Sequence, residues 1–441
     1  MVDLTIDADQ VAGRARMAPA PRHVLAVVTG NGLAFYDFLA YAYFAAQIGR
    51  TLFPAGQAGA QLLASLATFG VGFLMRPVGA LVIGRIADRR GRRPAMLLSF
   101  GLMGLAMLGL ALTPPFARIG MFAPALAVTF RLVQGFALGG ELGASTAYLV
   151  EAAPAARRGF YVSLQFMSQD ASGMVASLLG LFLATHLSET QLDAWGWRLV
   201  FAAGMLIVPV GLWLRNSLPE TLEAPAAVGA VPTAEPAPLM PLRRLYVLGF
   251  LIIGCGGLIS YVLTYFTTYA TETLHMARSL GFAATTVVGL AGVVFDPIGG
   301  WLSDRYGRRA VMIWPMAVLV AAAIPAYVLI EQHRTAGVLL GLAGLLAAAN
   351  NLGSVAALVA VTEAMPQRVR SGGLGLTYAL GMCALGGSAQ FMVAWLTQLT
   401  GSPLAPAFYL AAGGAMVLAS VLAMPETAPT ARRGRAHGRA A

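Results

Sequence analysis

Residues 84–93 read Gly-Arg-Ile-Ala-Asp-Arg-Arg-Gly-Arg-Arg, and residues 300–309 read Gly-Trp-Leu-Ser-Asp-Arg-Tyr-Gly-Arg-Arg. The two stretches share the pattern G-x-x-x-D-R-x-G-R-R and lie 216 residues apart in a chain of 441. A repeat at half the chain length predicts two similar halves. Each copy lies between two long apolar runs, which places it at a membrane surface. Together these features predict a transporter.

Two further matches support the duplication. Residues 151–154 (Glu-Ala-Ala-Pro) parallel residues 363–366 (Glu-Ala-Met-Pro) at an offset of 212, and each is followed by arginines and a glycine. Residues 219–221 (Pro-Glu-Thr) recur as residues 425–427 at an offset of 206. Because each pair occupies the same place in its half, chance is a poor explanation.

The composition is that of an integral membrane protein. Hydrophobic residues make up 58% of the chain and charged residues 11%, against the roughly 25% charged residues of a soluble domain. Apolar runs of about 20 residues, long enough to cross a bilayer, recur along most of the chain. The first 20 residues contain three aspartates and no apolar run, so they do not form a secretory signal.

The net charge of +10 reflects topology and not nucleic-acid binding. The chain has no lysine, and all 29 basic residues are arginines. With twelve helices and both termini inside, 22 arginines fall on cytoplasmic segments, five fall outside and two fall within helices. This bias toward the cytoplasm orients multi-pass proteins, here in a bacterial-type inner membrane.

The predicted fold is all-α, with twelve transmembrane helices in two six-helix halves. The predicted spans are 24–47, 60–86, 94–113, 122–149, 160–185, 197–216, 244–270, 280–303, 310–331, 337–361, 371–398 and 404–424. The predicted divisions are a cytoplasmic tail (1–23), the first half (24–216), a Pro- and Ala-rich cytoplasmic linker (217–242), the second half (243–424) and a cytoplasmic tail (425–441).

The repeated motif is predicted to set the conformational equilibrium. Its glycine allows two helix ends to approach, and its aspartate can accept hydrogen bonds from a neighbouring helix N-terminus and pair with arginine. Its remaining arginines hold the loop at the anionic cytoplasmic face. The predicted gating residues are Gly84, Asp88, Arg89, Arg92, Gly300, Asp304, Arg305 and Arg308.

The sequence resembles the metabolite–proton symporters of the major facilitator superfamily, over all twelve helices. The resemblance rests on Gly30-Asn31 with Asp37-Phe38, on residues 75–80 (Met-Arg-Pro-Val-Gly-Ala), on residues 131–136 (Arg-Leu-Val-Gln-Gly-Phe) and on residues 195–198 (Trp-Gly-Trp-Arg). Residues 362–366, with Leu376-Thr377-Tyr378, are similar to the citrate and tricarballylate branch. The resemblance implies proton-coupled import of citrate or a related tricarboxylate.

Ionisable residues inside predicted spans are the candidates for proton coupling. A charge at mid-bilayer costs roughly 2.5–3.5 kcal/mol on insertion scales, so such residues face a cavity or a partner. The family pattern usually has a glutamate where this chain has Ala34, which leaves open whether coupling uses a rearranged set of carboxylates or is weaker than in related proteins. The candidates are Asp37, Arg131, Glu141, Asp170 and Asp296. The alternative is a structural ion pair for the first three, and a structural position or one at the edge of the cavity for Asp170 and Asp296.

The substrate-binding candidates are polar or cationic residues within the spans. The two intramembrane arginines, Arg76 and Arg131, would hold an organic anion. The other candidates are Tyr41, Gln165, Tyr261, Tyr265, Asn351 and Tyr378, although such residues are more often packing residues.

Other functions fit the sequence less well. A proton-driven efflux antiporter would usually carry G-P-x-x-G-G in the fifth helix, which is missing; a symporter for a dicarboxylate, betaine or proline stays open. No nucleophile–base or metal-ligand arrangement indicates an enzyme, and no phosphate-binding loop occurs. The predicted partners are a small organic anion, protons and the lipid bilayer, with no cofactor or metal, and the protein is expected to be a monomer.

Overall fold

The computed structural model describes residues 21–54, 56, 58–90, 92–139, 146, 149–150, 153–205, 209, 240–366 and 370–428. Within these ranges every regular element is a helix. In the described part of the chain, nine helices are long and apolar enough to cross a membrane, and Leu97–Leu112 forms a shorter apolar stretch. The predicted all-α architecture, with two six-helix halves, is confirmed.

The described part of the first half contains six membrane helices, labelled α1 to α6. α1 consists of Pro21–Tyr43 and, after a break at Phe44, Ala45–Leu52. α2 consists of Ala58–Leu74 and Arg76–Arg90, followed by α3 (Arg92–Leu112), α4 (Phe122–Gly139) and α5 (Arg158–His186). α6 is described as Trp197–Gly204.

The second half contains α7 to α12. α7 consists of Leu242–Thr264, Phe266–Thr268 and a π-helical turn at Tyr269–Thr273. It is followed by α8 (Arg278–Tyr306), α9 (Arg308–His333) and α10 (Ala336–Ala364). α11 consists of Arg370–Gly381, a π-helical turn at Met382–Gly386 and Ala389–Thr400, and α12 is Ala405–Leu422.

Glycines bring α2 and α4 into backbone contact. A Cβ added at Gly135 would lie 1.7 Å from the Gly72 carbonyl oxygen, and one at Gly139 would lie 2.1 Å from the Arg76 carbonyl oxygen. Only glycine fits at such an approach, as is common where membrane helices pack closely. The contact places Arg76 of α2 beside Arg131 of α4.

α5 and α8 join the two halves along their whole length. At one end a Cβ on Gly300 would lie 2.6 Å from the Gly159 carbonyl oxygen. Towards the other end the Thr286 hydroxyl donates to Ser177 Oγ at 3.0 Å. Below, the end that carries the repeated motif is called the motif face, and the other end is called the opposite face.

Candidate substrate and proton site

Two buried arginines lie together in the core of the first half. Arg76 is 3% exposed and Arg131 is 0% exposed. The Arg76 guanidinium carbon lies 4.0 Å from the centre of the Phe73 ring, and that of Arg131 lies 4.4 Å from the centre of the Tyr41 ring. Phe38 contacts both, at 4.5 Å from each guanidinium carbon. Aromatic faces stabilise a guanidinium while leaving its N–H edge available.

The N–H edges of these arginines are incompletely used. Arg131 donates one Nη1 hydrogen bond to Gln134 Oε1. Nε and Nη2 of both Arg76 and Arg131 have no hydrogen-bond partner among the described residues. Because buried donors are normally satisfied, unused N–H groups in a buried site indicate the position of a ligand. Charged acceptors such as carboxylates suit this geometry best.

Asp37 provides the acid of this cluster. It is 1% exposed, attracts Arg131 electrostatically, and its Oδ1 has no hydrogen-bond partner among the described residues. Phe38, the next residue, packs against Phe69 and Phe73 with ring centres 4.7 Å away. The acid is therefore fixed at the edge of the arginine cluster.

Two tyrosines of the second half face the arginines. Tyr261 of α7 packs edge-on against Phe73 at 5.4 Å and interacts with Arg76. Tyr378 of α11 is in electrostatic range of both Tyr261 and Arg76. The site is thus formed by both halves, as expected when a ligand is bound between halves that rock.

Tyr41 and Gln165 are buried with partners of their own. The Tyr41 hydroxyl hydrogen-bonds the Ser65 carbonyl oxygen at 3.3 Å while its ring supports Arg131. Asn31 donates to the Gln165 carbonyl oxygen at 3.1 Å, and the Gln165 amide nitrogen donates to Asn31 Oδ1 at 3.4 Å. The Tyr41 bond therefore fixes α1 against α2, and the two Asn31–Gln165 bonds fix α1 against α5.

Tyr265 lies apart from this site. α7 is interrupted at Tyr265, and the side chain interacts with Glu272 and Thr273 near the opposite face. Tyr265 therefore does not share the position of Tyr261, although the two residues are one helical turn apart.

A second polar group lies where α5, α8 and α10 meet. Asn351 donates to Asp170 Oδ2 at 3.3 Å. Asp296 is 0% exposed and interacts electrostatically with Asp170, whose carboxyl group packs against Gly292, one helical turn before Asp296. The structure therefore brings Asp170, Asp296 and Asn351 together, in a cluster separate from Arg76 and Arg131.

At the motif face, the second copy of the repeated motif holds α5 against α8. Asp304 accepts hydrogen bonds from the backbone N–H groups of Gly159 and Phe160, each at 2.9 Å, and from Arg308 Nη1 at 2.6 Å. These are the helix N-terminal and arginine contacts that the motif predicts. Arg305 is exposed and lies beside Trp301. Whether Gly300, Asp304, Arg305 and Arg308 act as gating residues stays a prediction.

Two glutamates extend this network and were missing from the predicted site. Glu363 pairs with Arg308 at 3.3 Å and with Arg158 of the other half at 3.6 Å. Glu426 accepts from the backbone N–H groups of Arg308 at 3.0 Å and Arg309 at 2.9 Å. Both belong to the duplicated segments 363–366 and 425–427, so the repeats were the signal that could have identified them.

At the opposite face, four charged residues join the halves. Arg50 of α1 pairs with Glu272 of α7 at 2.5 Å and with Asp193 at 3.4 Å. Arg278 of α8 pairs with Asp193 at 2.8 Å. Ion pairs between the halves therefore occur at both faces, and the arginine cluster between them is buried.

The structure describes several of the predicted site residues only in part or not at all. Glu141 lies outside the described residues. The backbone of Asp88 and Arg92 is helical, but their side chains lie outside the described part of the structure; Arg89 is exposed and Gly84 has open space around it.

Two helical halves joined at both faces around buried charges define a secondary transporter. The chain belongs to the Major Facilitator Superfamily: the profile with that description matches residues 24–295, and the profile described as Sugar (and other) transporter matches residues 241–431.

Relatives and solved structures agree with this family. The citrate-proton symporter of Klebsiella pneumoniae is 34% identical over 90% of this chain and 89% of its own length. That of Salmonella typhi is 36% identical over 88% of this chain and 90% of its own length. A crystal structure of a D-xylose-proton symporter superimposes with a TM-score of 0.72 at 20% identity, covering 92% of this chain and 98% of the other.

Proposed function

We propose that the protein imports citrate or a related tricarboxylate together with protons. The observation that carries this proposal is the pair of buried arginines, Arg76 and Arg131, with N–H groups that no described residue accepts from. Asp37 is the one acid that the described residues place beside these two fixed cations, so this part of the structure forms a positive site that an anion with several carboxylates would neutralise. The similarity to citrate-proton symporters supports the same substrate class.

Asp37 couples the substrate to the proton in this proposal. An ionised Asp37 competes with the substrate for Arg131, because both are anions in range of one cation. Protonation of Asp37 removes that competition and frees Arg131 for a substrate carboxylate. Proton and substrate then favour each other's binding, which is the thermodynamic condition for symport.

Alternating access follows from the two sets of inter-half contacts. The ion pairs of Arg50 and Arg278 close the opposite face, while Asp304 and Glu363 close the motif face. Opening one face while the other stays closed exposes the buried arginines to one side of the membrane at a time.

The orientation in the membrane belongs to the same proposal. The motif face and both termini lie in the cytoplasm, with residues 217–242 as a cytoplasmic linker, because the arginines are concentrated on those segments. The protein acts as a monomer in the inner membrane, since each chain contains a whole site made from both halves.

Uptake of labelled citrate into proteoliposomes, with and without an inward proton gradient, tests the function. Accumulation that requires the gradient and is inhibited by tricarballylate supports it. Gradient-driven accumulation of α-ketoglutarate or betaine, with no citrate uptake, would move the protein to the dicarboxylate or osmolyte alternative. Citrate efflux against its gradient would indicate an antiporter.

A further inference from the structure

Asp170 and Asp296 come from different halves of the transporter and meet inside the membrane. Asp170 is the thirteenth residue of α5, and Asp296 is the nineteenth residue of α8. At a rise of about 1.5 Å per residue, Asp170 lies roughly 18 Å from the start of its helix, far from either membrane surface. The two acids therefore face each other where α5 and α8 join the halves.

The carboxyl group of Asp170 packs directly against Gly292 of α8. A Cβ added at Gly292 would lie 1.7 Å from Asp170 Oδ2, so the carboxyl group occupies the space above that glycine. Gly292 is one helical turn before Asp296, which puts both on the same face of α8. The nearby donor is Asn351 of α10, which bonds Asp170 Oδ2 at 3.3 Å.

No described residue donates a hydrogen bond to Asp296. It is 0% exposed, and neither Oδ1 nor Oδ2 accepts a hydrogen bond from any donor in the described part of the chain. Tyr43 of α1 is in electrostatic range of Asp170, and the other polar neighbour, Asn351, is neutral. No arginine among the described residues interacts with either acid.

Two carboxylates in contact cannot both be ionised without a neighbouring cation, because their charges repel in a medium of low dielectric. A proton held between them removes one charge and forms an O–H···O bond. We propose that Asp170 and Asp296 form a second proton-binding site, in which one shared proton joins the two halves of the transporter. Loss of this proton leaves two negative charges across the α5–α8 contact and drives the halves apart.

The inference deepens the proposed function, because it assumes that proton binding and rocking are coupled. It adds a site distinct from Asp37 and Arg131. It also supplies a reason for carboxylates in the fifth and eighth helices of a chain that has Ala34 where the related pattern has a glutamate.

Infrared difference spectroscopy of the purified protein in lipid, without substrate, tests the shared proton directly. A protonated carboxylic acid gives a C=O stretching band that an ionised one lacks, and isotope-labelled aspartate identifies it. Two difference spectra are recorded, wild type minus Asp170→Asn and wild type minus Asp296→Asn. Each should contain the band of one protonated carboxyl group that the variant has lost. In either variant the introduced amide donates to the remaining carboxylate, which stays ionised.

Asp193→Asn is the matched control. Asp193 is ionised and paired with Arg278, so the spectrum of this variant should lose no band of a protonated carboxyl group. A wild type without any such band from these residues would overturn the proposal. Equally, if each single variant removed only its own band and the double variant removed two, the acids would be separate protonated groups, and the shared proton would be refuted.

The effect on the halves needs a second measurement. Spin labels at Thr190 and His333, both exposed at the opposite face, report the separation of the halves once Cys255 and Cys383 are replaced by serine. Raising the pH should add a longer-distance component in the parent protein and none in the Asp170→Asn/Asp296→Asn variant. An identical pH response in both would refute the joining role.

Failure of this proposal is distinguishable from failure of the proposed function. The spectra and distances are measured without substrate, so they decide the carboxyl pair whatever is transported. Gradient-driven citrate uptake with no shared proton would keep the function and remove the pair. A shared proton without citrate uptake would keep the carboxyl pair and remove the proposed substrate.

Discussion

Arg131 is held from beneath by aromatic rings and from one side by Gln134, so its remaining N–H groups point to a fixed position. Replacement by alanine removes that donor and leaves the buried Asp37 without its cation. Truncating one member of a buried charge pair typically costs about 2–5 kcal/mol, or roughly 30-fold to several thousand-fold in affinity. We therefore expect Arg131→Ala to abolish gradient-driven citrate accumulation in proteoliposomes.

The matched control for this variant is Arg118→Ala, since Arg118 is exposed on the short helix Phe116–Ile119. It should transport like the wild type. Normal elution on gel filtration and normal thermal unfolding would show that Arg131→Ala is folded. Unchanged accumulation by a folded Arg131→Ala protein would remove Arg131 from both the substrate and the proton site.

Asp37→Asn separates binding from coupling. Asparagine keeps the size of the side chain but cannot bind or release a proton, so it resembles the protonated acid permanently. Exchange of internal for external citrate should continue, whereas accumulation driven by the proton gradient should fall to the equilibrium level. The measurement compares the two assays in one set of proteoliposomes, with Glu331→Gln as an acid outside the site. Retained accumulation by Asp37→Asn would assign coupling to other residues.

Among the elements, the contact between α2 and α4 positions both arginines. Gly135→Ala places a Cβ against the Gly72 carbonyl oxygen, 1.7 Å away, and the helices have to separate. Overpacking typically costs about 1–3 kcal/mol. Thermal unfolding in detergent should show a lower Tm and weaker citrate binding than for Gly101→Ala, where nothing lies within 4 Å of the added Cβ. Equal Tm values for the two variants would mean that this contact is not tight.

Glu426 joins the segment after α12 to the start of α9 by hydrogen bonds to the backbone N–H groups of Arg308 and Arg309. Burial raises the pKa of this carboxyl group, but hydrogen bonds from four backbone N–H groups lower it more, so the pKa lies below its ordinary value of 4.5. A lowered pKa in the folded protein means that the carboxylate stabilises the fold above pH 4.5 and that this contribution is lost as the pH falls below it.

Thermal unfolding measured from neutral pH down to below this range should show the effect. The Tm of the wild type is expected to fall more steeply at acid pH than that of Glu426→Gln, and to be higher at neutral pH. Glu189→Gln is a suitable control because the Glu189 side chain is 78% exposed. Parallel pH profiles for the wild type and Glu426→Gln would contradict the role of Glu426.

For the whole molecule, the features that could be predicted are those that leave a periodic or repeated pattern in the sequence. The helices, the two halves and the contacts of Asp304 follow from apolar length and from a motif that occurs twice. The meeting of Asp170 and Asp296 could not be predicted, since they are 126 residues apart and only the packing of α5 on α8 fixes which faces meet. Tyr265 shows the same limit at shorter range, because the interruption of α7 separates it from Tyr261.

The charged residues at the opposite face could not be predicted for a related reason: they lie at helix ends, where no periodicity exists. Arg50 and Arg278 cross between the halves to Glu272 and Asp193 while part of each side chain stays exposed. Exposed pairs contribute about 0–1 kcal/mol each, and a network of them contributes more. Such a small stabilisation of the closed face suits a gate, because a much larger one would keep the transporter in a single conformation.

The double variant Arg50→Ala/Arg278→Ala should therefore shift the population toward the form open at the opposite face. Loss of about 1–2 kcal/mol changes the ratio of closed to open forms roughly 5- to 30-fold. Spin labels at Thr190 and His333 should show more of the longer distance in the variant. High salt should shift the wild type in the same direction, because screening weakens the partly exposed pairs.

Arg334→Ala supplies the control for this shift, since Arg334 is exposed at the same face and bonds the Glu331 carbonyl oxygen within its own half. It should leave the distances unchanged. An unaltered distribution in the double variant would mean that α5–α8 packing alone closes this face. The shared proton of Asp170 and Asp296 would then be the element that decides when it opens.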